Sequence, residues 1–292
     1  MSISDKFKNF NQNIKISDEN ISKISDRYKQ ITKRLNNDFY WLNSDISNSL
    51  YVGSYWRDTD IHISDVDMLF ILPYSIYKRY NEYVWNWQSA LLQAVKNSIK
   101  NTYSTTHLKW DWQIIWLNFT DWICFEILPC FLNTDGSYTY PDSNVWWKWK
   151  ITNPKPEIKE IKEKNNEWNW NLKRLCKMIR AWKDNWDIPI WWLLIDTLAY
   201  NFLKNWEYKN NSYTYYDWMV RDFFEYLKNQ DKDKNYWLAV WSNQFIYRKW
   251  NFEYKATQCY KLILEAIEYE NKEMPYSANL KWKEVFWNKF IC

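Results

Sequence analysis

Glycine is nearly absent from this chain: its 292 residues include 2, Gly53 and Gly136. Glycine enters left-handed backbone at no steric cost, and tight turns, helix C-termini and close backbone approaches depend on it. Average usage of about 7% would supply roughly 20 in a chain of this length. Tryptophan stands at 24, and the two counts together are close to what the pair normally contributes. The tryptophans also fall where glycine chemistry is expected. Asp121-Trp122 separates two alternating apolar runs, where a two-residue hairpin favours Asp-Gly. Trp85-Asn86-Trp87, Trp110-Asp111-Trp112, Trp146-Trp147 and Trp191-Trp192 read as loop punctuation. The composition therefore predicts that many of these codons are UGA, read as glycine in the source organism and written here as tryptophan. Trp182, Trp237 and Trp282 sit in apolar patterns and are expected as genuine tryptophans. The alternative is a Trp-rich protein that offers aromatic platforms to bases or sugars.

The length fits one large domain or two small ones packed together. A net charge of +4 is too mild for a nucleic-acid coating protein, and no stable nucleic-acid partner is expected. No stretch reaches 18 apolar residues and the N-terminal MSISDKFKNF has no apolar signal core, so the expectation is a soluble, cytoplasmic protein with no membrane contact. Cys124, Cys130, Cys176, Cys259 and Cys292 form no CxxC pair and read as reduced thiols, most of them buried. His62 and His107 show no metal-ligand spacing and read as surface residues.

Residues 1–16 are polar and read as loosely held. Ser17 offers an N-cap, Asp18 and Glu19 suit a first turn, and Ile21, Ile24, Tyr28, Ile31 and Leu35 recur at helical steps. Asp65 to Leu72 reads as a buried strand. Residues 74–100 read as mostly helical, with Leu91, Leu92, Val95 and Ile99 inward, and two strands, 113–119 and 123–128, meet at Asp121-Trp122. This order predicts a small mixed sheet with helices on one side. Near Asn153-Pro154-Lys155-Pro156 the chain changes character. Leu172, Leu175, Ile179 and Trp182 form an apolar stripe, residues 193–203 continue it, and 217–228 and 253–270 read as further helices. The expected domains are 1–152, a mixed α+β half with an N-terminal helix, and 153–292, a helical half, with a cleft between them.

The residues that point to chemistry are Gly53-Ser54 and, eleven residues beyond Ser54, Asp65-Val66-Asp67 after Ser64. A strand sends residues two apart to one face, so Asp65 and Asp67 project together. Two carboxylates at that spacing suit hard divalent cations. A pair of such ions clamps the attacking and leaving oxygens of an in-line phosphoryl substitution. The Gly53-Ser54 turn can aim backbone N–H groups and a hydroxyl at phosphates. Alone, a DxD is more often a solvated strand end; here the flanking Val66 and Met68 to Leu72 place it on a buried strand. Glu126, inside the apolar run 125–128, is the candidate third ligand or general base. Asp121 competes for that role, but its place before the hairpin position makes it a turn residue.

These residues resemble the cGAS/DncV-like nucleotidyltransferases, the bacterial CD-NTases. The likeness rests on GSYWRDTDIHISDVDMLFILP at 53–73, FEILPCF at 125–131, NLKRLCKMIRAWKDNWDIPI at 171–190, LLIDTLAYNFL at 193–203 and the closing AxxKWxEVFW at 278–287. Trp56, Trp241 and Trp287 stand where the family pattern has glycine, and Glu126 where many members carry Asp. The resemblance implies a polymerase-β-like core and a two-metal site of Asp65, Asp67 and Glu126 holding Mg²⁺ or Mn²⁺. It implies phosphate contacts from Gly53, Ser54, Lys177 and Arg180, and a base- or sugar-contacting group at Asp196. It further implies a monomeric synthase that joins GTP and/or ATP into a cyclic dinucleotide of the anti-phage CBASS systems, whose product activates a separate effector protein. An ordinary nucleotidyltransferase that modifies a drug, a protein or an RNA end stays open, as does the non-catalytic Trp-rich binder.

Overall fold

The structure, a computed structural model, describes residues 1–61, 65–82, 87–142, 148–240 and 242–290. The readings at His62, Ser64, Trp85, Asn86, Trp146, Trp147, Trp241 and Cys292 lie outside the described residues. In chain order come α1 (Ile3–Asn13), α2 (Asp18–Tyr40), β1 (Ser49–Tyr51), α3 (Gly53–Arg57), β2 (Asp65–Ile71), α4 (Tyr74–Asn81) and α5 (Trp87–Lys100). Five strands follow: β3 (His107–Asp111), β4 (Ile114–Asn118), β5 (Cys124–Leu132), β6 (Tyr138–Asp142) and β7 (Lys148–Thr152). The remainder is α6 (Lys155–Glu167), α7 (Asn171–Asn185), α8 (Trp192–Asn205), α9 (Tyr216–Lys228), a hairpin of β8 (Tyr236–Leu238) and β9 (Phe245–Tyr247), α10 (Glu253–Asn271) and α11 (Pro275–Phe286).

These elements gather into two compact units. One comprises Ile16–Arg57 and Ile63–Lys155, the other Met1–Lys15, Asp58–His62 and Pro156–Cys292. The first is built on a mixed sheet of order β1-β2-β5-β4-β3, to which β6 and β7 are added beside β5. β2 and β5 run parallel, and β1–β2, β4–β5 and β3–β4 are antiparallel. One face of the sheet, carrying Val66, Met68, Phe70, Ile115, Leu117, Phe125 and Ile127, packs in a single core with Ile24, Tyr28, Ile31 and Leu35 of α2 and Leu91, Leu92, Val95 and Ile99 of α5. The α+β class and the helix-covered sheet face are as expected. Ile21, expected on the inner face of α2, is instead 43% exposed. Ser17 caps α2 by accepting the Asn20 N–H.

The helical unit corrects one reading outright. Residues 3–13 are not loosely held: Ser2 and Asp5 form a reciprocal capping box. Phe7, Phe10 and Ile14, at three- and four-residue steps, are fully buried. Phe7 meets Trp282 and Phe290 edge-on, and Phe10 lies against Phe286. Three apolar residues among lysines and asparagines are enough to dock a helix whose other faces are solvated.

The backbone also addresses the glycine deficit. Gly53 and Gly136 take φ +67° and +83°. Eleven other described residues have positive φ. Asn48, Asn169, Asn243, Asp58 and Asp187 belong to types that tolerate it; of the remaining six, Glu273 is one and Trp41, Trp112, Trp122, Trp170 and Trp287 are the others. Trp41 ends α2 in the left-handed conformation that helix C-termini give to glycine. Trp122 turns between β4 and β5 at φ 68° and is 88% exposed. Trp287 has φ 61° and ψ −161°, a region that is essentially glycine's alone. Trp182 and Trp282 are fully buried and Trp237 nearly so, as expected of genuine tryptophans. Three sites of presumed loop punctuation differ. Trp87 opens α5 and is buried, Trp110 lies within β3, and Trp191 precedes α8 with extended backbone, so none needs glycine for its conformation.

Mass spectrometry of protein from its native source is expected to find glycine at 41, 112, 122, 170 and 287. In recombinant protein carrying tryptophan, Trp122→Gly and Trp287→Gly are each expected to raise unfolding free energy by about 1–2 kcal/mol in urea titrations.

Candidate active site on the β2–β5 face

Strand alternation builds the site. With Val66, Met68 and Phe70 in the core, Asp65 and Asp67 project from the opposite face of β2. On β5 the same alternation buries Phe125 and Ile127 and turns Glu126 to the face of Asp65 and Asp67. The parallel register sets Asp67 directly beside Glu126, and Asp65 beside Cys124. Burial first, then the negative charges of Asp67 and Asp65, raise the Glu126 pKa to about 8, and a hydrogen bond with Asp67 pushes the same way. Cys124 is pushed up to about 12, by burial and then by Asp65 and Glu126.

Gly53 completes the arrangement. The Val52 N–H donates to the Asp67 carbonyl at 3.0 Å, tying the end of β1 to the acidic strand. A Cβ on Gly53 would lie 1.8 Å from Asp67 Oδ2 and 2.7 Å from its Cγ. No other residue fits beneath that carboxylate, and the φ of +67° excludes a side chain a second time. Ser54 follows in the first turn of α3. Asp121 is held elsewhere: Arg27 donates to both of its carboxylate oxygens, at 2.9 and 2.8 Å.

A profile of the Second Messenger Oligonucleotide or Dinucleotide Synthetase (SMODS) domain matches residues 1–165, more than half of the chain. The chain belongs to the SMODS family. Among curated proteins it is 27% identical over 183 residues to a "Probable cyclic nucleotide synthase" of Bacillus cereus (strain VD146), a match covering 60% of this chain and 53% of the relative. The chain thus spans about half the length of that curated relative. The fold is that of the CD-NTases. The GTP-bound CdnG of Bradyrhizobium diazoefficiens superposes with a TM-score of 0.68 at 8% identity, over 99% of this chain and 96% of that one. Apo DncV of Vibrio cholerae gives 0.64 at 12%, over 99% and 87%. The Elizabethkingia meningoseptica CdnE cyclic dinucleotide synthase, with GTP and Apcpp, gives 0.60 at 17%, over 84% and 98%. Identities this low establish the polymerase-β-like nucleotidyltransferase fold alone.

In this SMODS protein, as in any chain, crowded carboxylates on a half-buried face are costly unless protons or cations share the charge. The donor set is all oxygen, which suits hard divalent ions. Among the described residues no three His, Cys, Asp or Glu side chains already stand in a metal-ligating arrangement. The fit therefore rests on donor chemistry and on the acids' shared face. No described helix is long and apolar enough to cross a membrane. Cys124, Cys130, Cys176 and Cys259 are buried and form no disulfide among the described residues.

Lys177, Arg180 and Asp196 lie in the helical unit. Lys177 Nζ donates to Asp58 Oδ1 at 2.6 Å, and Lys173 reaches the other oxygen of the same carboxylate at 3.4 Å. Arg180, 1% exposed, donates from Nη2 to Asp196 Oδ1 at 2.7 Å and to the Thr59 hydroxyl at 2.8 Å. That hydroxyl donates in turn to Asp196 Oδ2 at 3.1 Å. Sequence reasoning missed the part of Asp58 and Thr59 as partners of these cations; their one signal was the Asp-Thr-Asp run after Arg57.

Two outcomes follow. Between its ordinary value of 4.5 and about 8, Glu126 binds a proton in the folded state that the unfolded chain releases, so the stability it contributes is lost as pH rises through that window. In chelator at pH 9, Glu126→Gln is therefore expected to melt roughly 2–4 °C above wild type, a gap that closes by pH 5, while added Mg²⁺ at pH 9 stabilises wild type more than the variant. Arg180→Ala leaves Asp196 buried without its cation and is expected to cost about 3–5 kcal/mol in urea unfolding.

Proposed function

We propose that this protein is a cyclic dinucleotide synthase. It joins two purine nucleoside triphosphates, GTP and/or ATP, with release of pyrophosphate. The product is a second messenger of anti-phage defence that acts on a separate effector protein. The observation that carries the reading is the meeting of Asp65, Asp67 and Glu126 on one sheet face, with Gly53 seated under the Asp67 carboxylate. The family's description as second-messenger synthetases and the GTP held by the CdnE and CdnG structures support it.

Asp65, Asp67 and Glu126 would hold two Mg²⁺ or Mn²⁺ ions. Such ions, when bound, neutralise charge at the α-phosphate and at the attacking and leaving oxygens. The chain's own groups do the rest. Ser54, entering α3 from Gly53, offers its hydroxyl and backbone N–H to phosphate oxygens of the donor nucleotide. Glu126, with a pKa near 8 before any cation binds, suits a group that exchanges protons close to neutral pH. In its ionised form it takes the proton of the acceptor's ribose hydroxyl as that oxygen attacks the α-phosphorus. The bond from the α-phosphorus to the bridging oxygen breaks, and pyrophosphate leaves with the electron pair. The same chemistry repeated on the linear product closes the ring.

Labelled GTP and ATP, with no other acceptor, are expected to give a phosphatase-resistant product that disappears in EDTA. Asp67→Asn is expected to lower its formation by roughly 100-fold or more while the circular dichroism and melting curve stay those of a folded protein. Wild-type turnover by that variant refutes the site.

A further inference from the structure

The acidic face continues past β5. β4 pairs with β5 so that Trp116 stands opposite Glu126 and Asn118 opposite Cys124. β3 pairs with β4 so that Lys109 stands opposite Trp116 and His107 opposite Asn118. The alternation holds throughout, since Ile115 and Leu117 enter the core and Leu108 and Trp110 pack against it. Two rows therefore cross this face: Asp67, Glu126, Trp116, Lys109, and Asp65, Cys124, Asn118, His107. Each runs from carboxylate on β2 to a basic side chain on β3. Asp111 lies on the same face one pair beyond Lys109.

Lys109 is solvent-exposed and has no carboxylate partner among the described residues. Its ammonium lies 4.5 Å from the centroid of the Trp116 ring, so it folds back over β4 toward the acids. His107 is exposed, with Nδ1 3.3 Å from the amide nitrogen of Asn118. The Lys109 charge is felt at Cys124, where it counters Asp65 and Glu126.

We propose that Lys109 and His107 bind the triphosphate of the acceptor nucleotide, the one whose ribose hydroxyl attacks at the carboxylates. This rests on the synthase reading and deepens it. The donor's phosphates belong with Gly53 and Ser54, which follow β1 on one side of β2; β3 lies on the other side, beyond β5 and β4. A second polyanion is driven away from the first by charge repulsion. At about 4.8 Å per strand, three strand steps separate Asp67 from Lys109, roughly 14 Å. An extended nucleoside triphosphate reaches that far from its ribose. A cation at the far end is then a positioning residue for the acceptor, and the geometry favours acceptors that keep their phosphates.

The experiment separates the two nucleotide roles. The donor is a 2′,3′-dideoxynucleoside triphosphate, which cannot accept. The acceptor is either an α,β-methylene nucleoside triphosphate, which cannot donate, or the same nucleoside without phosphates. Wild type is expected to prefer the phosphorylated acceptor. Lys109→Ala/His107→Ala is expected to lose roughly tenfold or more of that preference, chiefly through KM, and Lys109→Arg to restore part of it in the His107→Ala background. An unchanged preference in the double variant, with Asp67→Asn inactive, overturns the acceptor subsite and leaves the carboxylate site standing. A wild type that forms no bond with either acceptor or with unmodified GTP and ATP overturns both.

Discussion

The parallel pairing of β2 with β5 is the contact on which the rest of this site depends. It sets Asp67 beside Glu126 and Asp65 beside Cys124, so three carboxylates share one sheet face. The protein bears the cost of that crowding, visible in a Glu126 carboxyl pushed to about 8. The opposite face shows what holds the acids there. Val66, Met68, Phe125 and Ile127 alternate with them and are buried against α2 and α5. A slip of one residue in either strand would turn an acid into that core and an aliphatic side chain out of it. The hydrophobic effect on one face thus fixes electrostatics on the other. Because the two are coupled through strand register, the acids cannot relax apart without unpacking the core.

Gly53 is the second constraint. Its missing side chain is required twice, by the Asp67 carboxylate above it and by its left-handed backbone. The same backbone demand recurs at Trp41, Trp112, Trp122, Trp170 and Trp287, where a bulky side chain has no steric rationale. Most of these tryptophans are well exposed, so burial offers nothing in return. The core tryptophans behave differently. Trp182 and Trp282 fill fully buried positions against Phe224 and Phe7. Backbone conformation and burial thus separate tryptophans at positive φ from those in the core, while Trp87, Trp110 and Trp191, expected as loop punctuation, need no glycine conformation.

Much of the fold was legible because its elements carry strong periodicity. The α2 stripe, the strand at 65–72 and the helical layer of 172–203 follow from apolar spacing, and Ser17 marks its helix start. What was missed lacks that signal. β3, HLKWD, lies at a sheet edge with mixed residues on both faces, β8 and β9 are three residues each, and α1 hides its stripe among polar residues. The pairing of the two aspartates on one face follows from a period of two. The meeting of Asp67 with Glu126 does not, because register between strands some sixty residues apart is set by tertiary packing and by β5 inserting between β2 and β4. For the same reason His107 read as an ordinary surface residue: its membership of the acidic face exists only once β3 is paired.

Two groups of buried or half-buried acids among the described residues differ in the charge they meet. Asp196 is met by Arg180 and Thr59, and both of its oxygens have a donor within 3.1 Å. In that network the Asp196 charge is already met by a guanidinium. On the β2–β5 face, acid meets acid. Glu126 is raised by burial and by both aspartates, and each of these influences favours taking up positive charge. A proton supplies it at low pH, but one proton leaves the remaining carboxylates crowded. Divalent ions supply more charge and accept several oxygens at once, so they relieve the repulsion as protons do not. Asp196 shares a network with a guanidinium and a hydroxyl, whereas Glu126 stands among other carboxylates; burial first, and then that surrounding charge, raises the Glu126 pKa.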